Sequence, residues 1–405
     1  MRDLTRRQLA RLGLLALAAT LPGCHPGRRY GEREHQSLER QRAEEARHAG
    51  KSRFGELRFR GYRELAKLPF FELTEQGRLR LLIDDLPPGI DFHTHLGFNL
   101  LFAPNFDLQR RTAIQYLLDC DRPDRQCQLD LDTYINTAFD EQLHDDLEHE
   151  FIGQLVWGSA AAETHTIPNL VGELDEMRFG QAAVLPIAAG LPFRSDPTER
   201  WIEAIARSPQ PQRLIPFASV HPEDSDKRDK LRRFAAAGAR GVKLHPEMQR
   251  FFPDDDGAME IYEECERLGL PIIFHCGRSG IEPEAVRPYA LPRWFAAPAL
   301  EFPKVQFVMG HAGARDADEA VRLAQRFDNV WLEITGQGIS SLDGMIRQLG
   351  TDRLLFGSDW PFYPLAATLA KVLLVTEDPA VRGGILRDNA LRCFATAARA
   401  ERAPT

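Results

Sequence analysis

The chain has 405 residues, 43% of them hydrophobic and 27% charged, with a formal net charge of -8. This is ordinary globular composition with ample material for a core, and the acidic balance argues against nucleic acid as a partner, since nonspecific binding to a phosphate backbone needs a basic surface. Six cysteines are too few for a disulfide scaffold in a chain this long.

Residues 1–24 predict an export signal. Arg6-Arg7 precedes an apolar stretch from Leu12 to Leu21, too short to cross a bilayer, which takes ~20 apolar residues. The stretch has the length of a signal-peptide core, and the arginine pair resembles a twin-arginine signal. Leu21-Pro22-Gly23-Cys24 resembles a lipobox, with Pro22 as a departure, so Cys24 is a candidate lipid anchor. The expected location is the periplasm or the membrane surface, with the membrane reached only through that anchor. Residues 25–80 begin rich in Arg and Glu and predict a charged linker or helical extension outside the core.

Residues 81–397 predict an α/β fold, a (β/α)8 TIM barrel. Eight apolar runs end in His, Asp, Glu, Gly or similar residues: 89–95, 182–187, 214–221, 241–245, 271–275, 305–311, 330–335 and 354–359. Helical patterns over 258–268, 317–327, 342–349 and 365–375 alternate with the later runs. That alternation indicates βαβ units and a parallel sheet, and eight units suggest closure. Residues 96–180 form a long insertion after the first strand, with a helical pattern over Leu131–Phe151. It leaves the carboxyl end of that strand, so it is expected to cap the catalytic face. Cys120 and Cys127 within it are a disulfide pair if the chain is exported. Cys265, Cys276 and Cys393 lie in apolar contexts and are expected to be buried.

The chemistry-bearing residues stand at strand ends. Asp91-Phe92-His93-Thr94-His95 closes the first strand, and residues two apart on a strand share a face. His93 and His95 can therefore hold one cation between them. The pair proves little alone; His275, His311 and Asp359 at the ends of the fifth, sixth and eighth strands make the case. Lys243 and His245 share a face of the fourth strand by the same alternation, and His221 ends the third. Arg278 follows His275 on the adjoining loop, where its fork could hold a substrate carboxylate. A surface ion pair is the alternative. Glu333 lies on the seventh strand, and alternation does not settle its direction.

Taken together these segments resemble the amidohydrolase superfamily, in its amidohydrolase-2 branch, which includes aminocarboxymuconate-semialdehyde decarboxylase and related aromatic-acid decarboxylases besides hydrolases. The resemblance covers roughly residues 89 to 395 and includes Gly241-Val242-Lys243-Leu244-His245-Pro246 and Asn389-Ala390-Leu391-Arg392-Cys393-Phe394. It implies one divalent metal ion, Zn2+ first and Mn2+ as an alternative, on His93, His95, His275 and Asp359. Asp359 and His311 would be catalytic: Asp359 takes a proton from the activated water, and His311 polarises the substrate oxygen. Lys243, His245 and Arg278 are the candidate substrate contacts, a structural lysine being the alternative for Lys243 and hydrogen bonds to loop backbone the alternative for His245 and His221. A second metal is implied only if Lys243 is carboxylated.

The expected function is hydrolysis of an ester, lactone or amide on a small molecule. Nonoxidative decarboxylation of an aromatic or unsaturated acid is the alternative on the same scaffold. A TatD-type DNase fits poorly, since its fourth strand offers a glutamate where Lys243 stands. A non-catalytic metal-binding lipoprotein should have lost ligands, and none is missing. A homo-oligomer is compatible with the sequence.

Overall fold

The computed structural model describes residues 30–97, 106–121, 127–139, 159–188 and 197–401. The signal segment lies outside these residues. Eight strands run in order: β1 (Gly89–Thr94), β2 (Phe179–Val184), β3 (Leu214–Pro216), β4 (Val242–Leu244), β5 (Ile272–Phe274), β6 (Phe307–Met309), β7 (Val330–Glu333) and β8 (Leu354–Leu355). Each is parallel to its neighbours in sequence order. Parallel bridges Ala218–Val242 and Thr94–Trp360 join β3 to β4 and β8 to β1, closing the barrel. All eight expected runs are strands or strand ends, and each predicted helix from residue 256 onward is present.

The strands are short and mostly buried on both faces, as helix-wrapped parallel strands must be. Ile273, Val308 and Trp331 lie in one lateral register and pack with Ile90, Phe92 and Phe217. This cluster fills the barrel interior below the site. Lys243 is in register with Ile273, so it belongs to the same inward layer.

Two expectations change. The insertion ends before residue 180, because Ile167–Glu176 is the helix that precedes β2. The helix predicted over Leu131–Phe151 does not form in its described part, which contains only a 3-10 turn at Ile135–Ala138. Asp130 takes the Asp132 amide and the Thr133 hydroxyl, and such local side-chain bonds compete with a helix start. Residues 140–151 lie outside the described residues. The described insertion packs on the catalytic face: Leu117 and Leu118 amides donate to Pro361 and Phe362, and Asn136 reaches Ser279. Cys120 and Cys127 form a disulfide there, with Cα atoms 5.2 Å apart. Cys265, Cys276 and Cys393 are buried and free.

The third change is at the amino end. Glu32–His48 is a helix, α1, and it is docked rather than solvated. Buried Arg278 and Arg315 on the barrel reach it through Glu34, Ser37 and Glu45.

Candidate metal centre

His93 and His95 converge as the strand pattern predicts, with ring centroids 5.2 Å apart. Their tautomers are set by what lies behind them. His93 Nδ1 is 2.7 Å from Glu333 Oε2, and His95 Nδ1 is 2.8 Å from the Leu185 carbonyl. A ring nitrogen facing a carbonyl oxygen must carry the proton, and burial favours the same arrangement against the carboxylate. Each Nε2 then carries the ring's lone pair. Both then face the same oxygen: Asp359 Oδ1 lies 3.4 Å from His93 Nε2 and 3.3 Å from His95 Nε2. All three residues are buried, and their ligand atoms lie within 4.8 Å of one another. Two imidazoles and a carboxylate converging form a donor set that fits a divalent ion with a position left open.

Backbone bonds hold this geometry. The Asp359 amide donates to the His93 carbonyl at 2.8 Å, tying the end of β8 to β1. Asp91 Oδ1 accepts the His93 and Ser358 amides from below. Gly357 has no side chain, so Glu333 can approach His93; a Cβ there would meet the Glu333 carboxylate.

His311 joins the group, its ring 5.0 Å from His93 and 4.8 Å from His275. Its amide donates to Glu333 Oε2 at 3.1 Å, and its Nδ1 has no hydrogen-bond partner. Burial pushes both His275 and His311 down to about 3, which keeps the rings neutral. Burial also pushes Lys243 down to about 8, with Asp359 and Glu333 opposing. Lys243 Nζ stands 3.2 Å from His93 Nε2, inside the centre.

A family profile described as amidohydrolase matches residues 90–395. The chain belongs to the amidohydrolase family. It is therefore an enzyme of a metal-dependent kind. No curated protein sequence matches the chain. Among solved structures, an uncharacterised TIM-barrel protein from Bordetella bronchiseptica is similar at 20% identity and a TM-score of 0.52, over 77% of this chain and 100% of that one. A 2,6-dihydroxybenzoate decarboxylase from Rhizobium is 17% identical with a TM-score of 0.48, over 75% and 99%. The 5-carboxyvanillate decarboxylase LigW from Sphingomonas paucimobilis is 18% identical with a TM-score of 0.45, over 56% and 82%.

One residue of this amidohydrolase, Arg278, stands differently from expectation. His275 stands at the edge of the group, its ring 4.8 Å from that of His311, and its ligand atom also lies within 4.8 Å of those of His245 and Glu247. His221 serves the loop, its Nδ1 accepting the Glu223 amide at 3.2 Å. Arg278 is a correction: its guanidinium does not await a substrate carboxylate. It is buried and bonded to Asp316, the Tyr30 hydroxyl, the Glu34 carbonyl and Ser37 Oγ. The charged α1, set aside as linker in sequence, consumes the fork.

Sequence reasoning left Glu333 undirected and did not single out Glu247. Glu333 ends β7 and lies two residues beyond inward Trp331, so strand alternation places it at the site. Glu247, on a short helix after β4, carried no strand-end signal.

Proposed function

We propose that the protein is an exported, metal-dependent hydrolase acting with activated water on an ester, lactone or amide of a small molecule. The observation that carries the reading is the convergence of His93 Nε2 and His95 Nε2 on Asp359 Oδ1, at 3.4 and 3.3 Å. A bound divalent ion, Zn2+ ahead of Mn2+, supplies Lewis acidity and lets water ionise near neutral pH. Glu333 and the Leu185 carbonyl orient the two imidazoles. Asp359 is placed to accept the proton of the attacking water and return it to the leaving group. Neutral His311 can donate its ring hydrogen to the substrate oxygen as charge builds there. The Lys243 ammonium, beside His93, adds a positive charge on the same side. The insertion, packed on the loops after β5 and β8, caps the face and selects the substrate.

The test is turnover against a panel of lactones, esters, amides and aromatic acids, before and after chelation. Activity should vanish with the metal and return on add-back; activity in metal-free protein contradicts the proposal. Carbon dioxide released from an acid, without hydrolysis of any panel member, assigns the decarboxylase chemistry instead. Export is supported by the Arg6-Arg7 signal and the Cys120–Cys127 disulfide, a bond of oxidising compartments. Replacing Arg6 and Arg7 by lysine should strand the protein in the cytoplasm, and an unaltered protein found there contradicts export.

A further inference from the structure

Asp359 is held with φ at 58°, a left-handed backbone that residues with a Cβ seldom adopt. The aim of its carboxylate therefore depends on what fixes the segment it begins. The Asp359 and His95 amides tie the start of that segment to β1, bonding the His93 and Trp360 carbonyls. Its next regular element is the helix Leu365–Val375. Glu173, on the helix before β2, grips the segment at both ends. Its Oε2 accepts the Trp360 Nε1 hydrogen at 3.0 Å, and its Oε1 accepts the Leu365 amide at 2.6 Å. The second bond meets an amide that has no partner within its own helix, at the end where the helix dipole favours a carboxylate.

Trp360 is the lever. It is fully buried and edge-on to His165, 5.9 Å between ring centroids. An indole so packed turns only if the peptide it hangs from moves, and that peptide joins it to Asp359. We propose that Glu173 is a positioning residue for the metal centre: by fixing the Trp360 indole and the Leu365 amide it sets the aim of the Asp359 carboxylate at His93 and His95. The inference rests on the reading of that centre, and its test separates the two. Tyr116, in the insertion, extends the linkage. Its hydroxyl donates to the same Oε2 at 2.7 Å, and the neighbouring Leu117 and Leu118 amides donate to the Pro361 and Phe362 carbonyls. Insertion and metal ligand thus meet on one carboxylate, so a shift of the insertion is felt at Asp359. Glu173→Gln keeps the shape but carries a single acceptor oxygen. Its NH2 group must face either the Leu365 amide or the Trp360 and Tyr116 donors.

The test is the Zn2+ affinity of the full chain, by competitive chelator titration at pH 8, above the value of about 7 to which burial pushes Glu173. Circular dichroism checks folding. Glu173→Gln should weaken affinity ~10-fold, the low end of the usual cost of losing a ligand's outer support. It should also shift the visible absorption bands of the Co2+-loaded protein. In an Asp359→Asn background the same change should cost nothing further, because effects carried through one residue are not additive. Tyr116→Phe, which removes a donor and little volume, should show a smaller loss with the same dependence on Asp359, and it decides alone where Glu173→Gln does not fold. Unchanged affinity, unshifted bands or an equal loss in both backgrounds overturns the inference and leaves the hydrolase reading intact, provided Asp359→Asn alone weakens binding. Asp359→Asn binding Zn2+ as tightly as the wild type overturns the centre itself, and the inference with it.

Discussion

Glu333 does its work through other residues. Its Oε2 takes both His93 Nδ1 and the His311 amide, while its Oε1 takes the Thr335 amide and hydroxyl. One carboxylate thereby holds the His93 ring and the His311 backbone together. Glu333→Gln keeps the shape but offers one acceptor oxygen instead of two. Metal affinity should fall ~10–100-fold, the usual effect of losing a ligand's outer hydrogen bond. A competitive chelator titration reads this, and unchanged affinity would contradict the role. His165 gives a pH signature of its own. Its Nε2 lies 2.9 Å from the Gln115 carbonyl, and burial pushes the ring down to about 4. The unfolded ring titrates near ~6.5, so the unfolded chain binds the extra proton first on acidification. Its contribution to stability is complete above that value and is lost as pH falls toward 4. Between pH 7 and 4.5 this amounts to roughly 2–3 kcal/mol. Urea unfolding of His165→Gln should show a smaller loss over that interval than the wild type by about this amount. The inward histidines and Asp359 were legible because alternation and strand ends place them. Glu247 and the use of Arg278 were not, since both depend on partners far away in sequence.

At the level of elements, α1 shows where composition misleads. Of its described residues only Leu38 is buried, so it has no apolar stripe to announce packing. Its interface is ionic: Arg278 bridges Asp316 to the helix, and Arg315 reaches Glu45 at 2.7 Å. These contacts flank the loop after β6, where His311, Ala312, Gly313 and Ala314 all have positive φ. Such a run is unfavourable for residues other than glycine, by roughly 1–2 kcal/mol each. Gln337 opposes that tendency from beneath, donating to the His311 and Ala314 carbonyls at 2.7 and 2.8 Å. Arg278→Ala leaves Asp316 buried without its partner and should cost ~3–5 kcal/mol in urea unfolding. Metal content should not change, because Arg278 does not face the centre. A loss of metal with stability intact would restore Arg278 to the site.

For the whole molecule, the barrel was legible because eight parallel strands need continuous apolar runs and their catalytic ends need polar residues. The insertion was legible in place but not in form. Its length between β1 and β2 was visible, whereas the turn at Asp130–Thr133 overrode a helical pattern. On the proposed function, one side of this barrel mouth is a metal centre on His93, His95 and Asp359. The direct test is an anomalous difference map from crystals of Zn2+-loaded protein, collected above and below the zinc edge. A peak is expected at ~2.0–2.2 Å from the Nε2 atoms of His93 and His95 and from the Asp359 carboxylate. Density elsewhere, with no peak between these three residues, would contradict it.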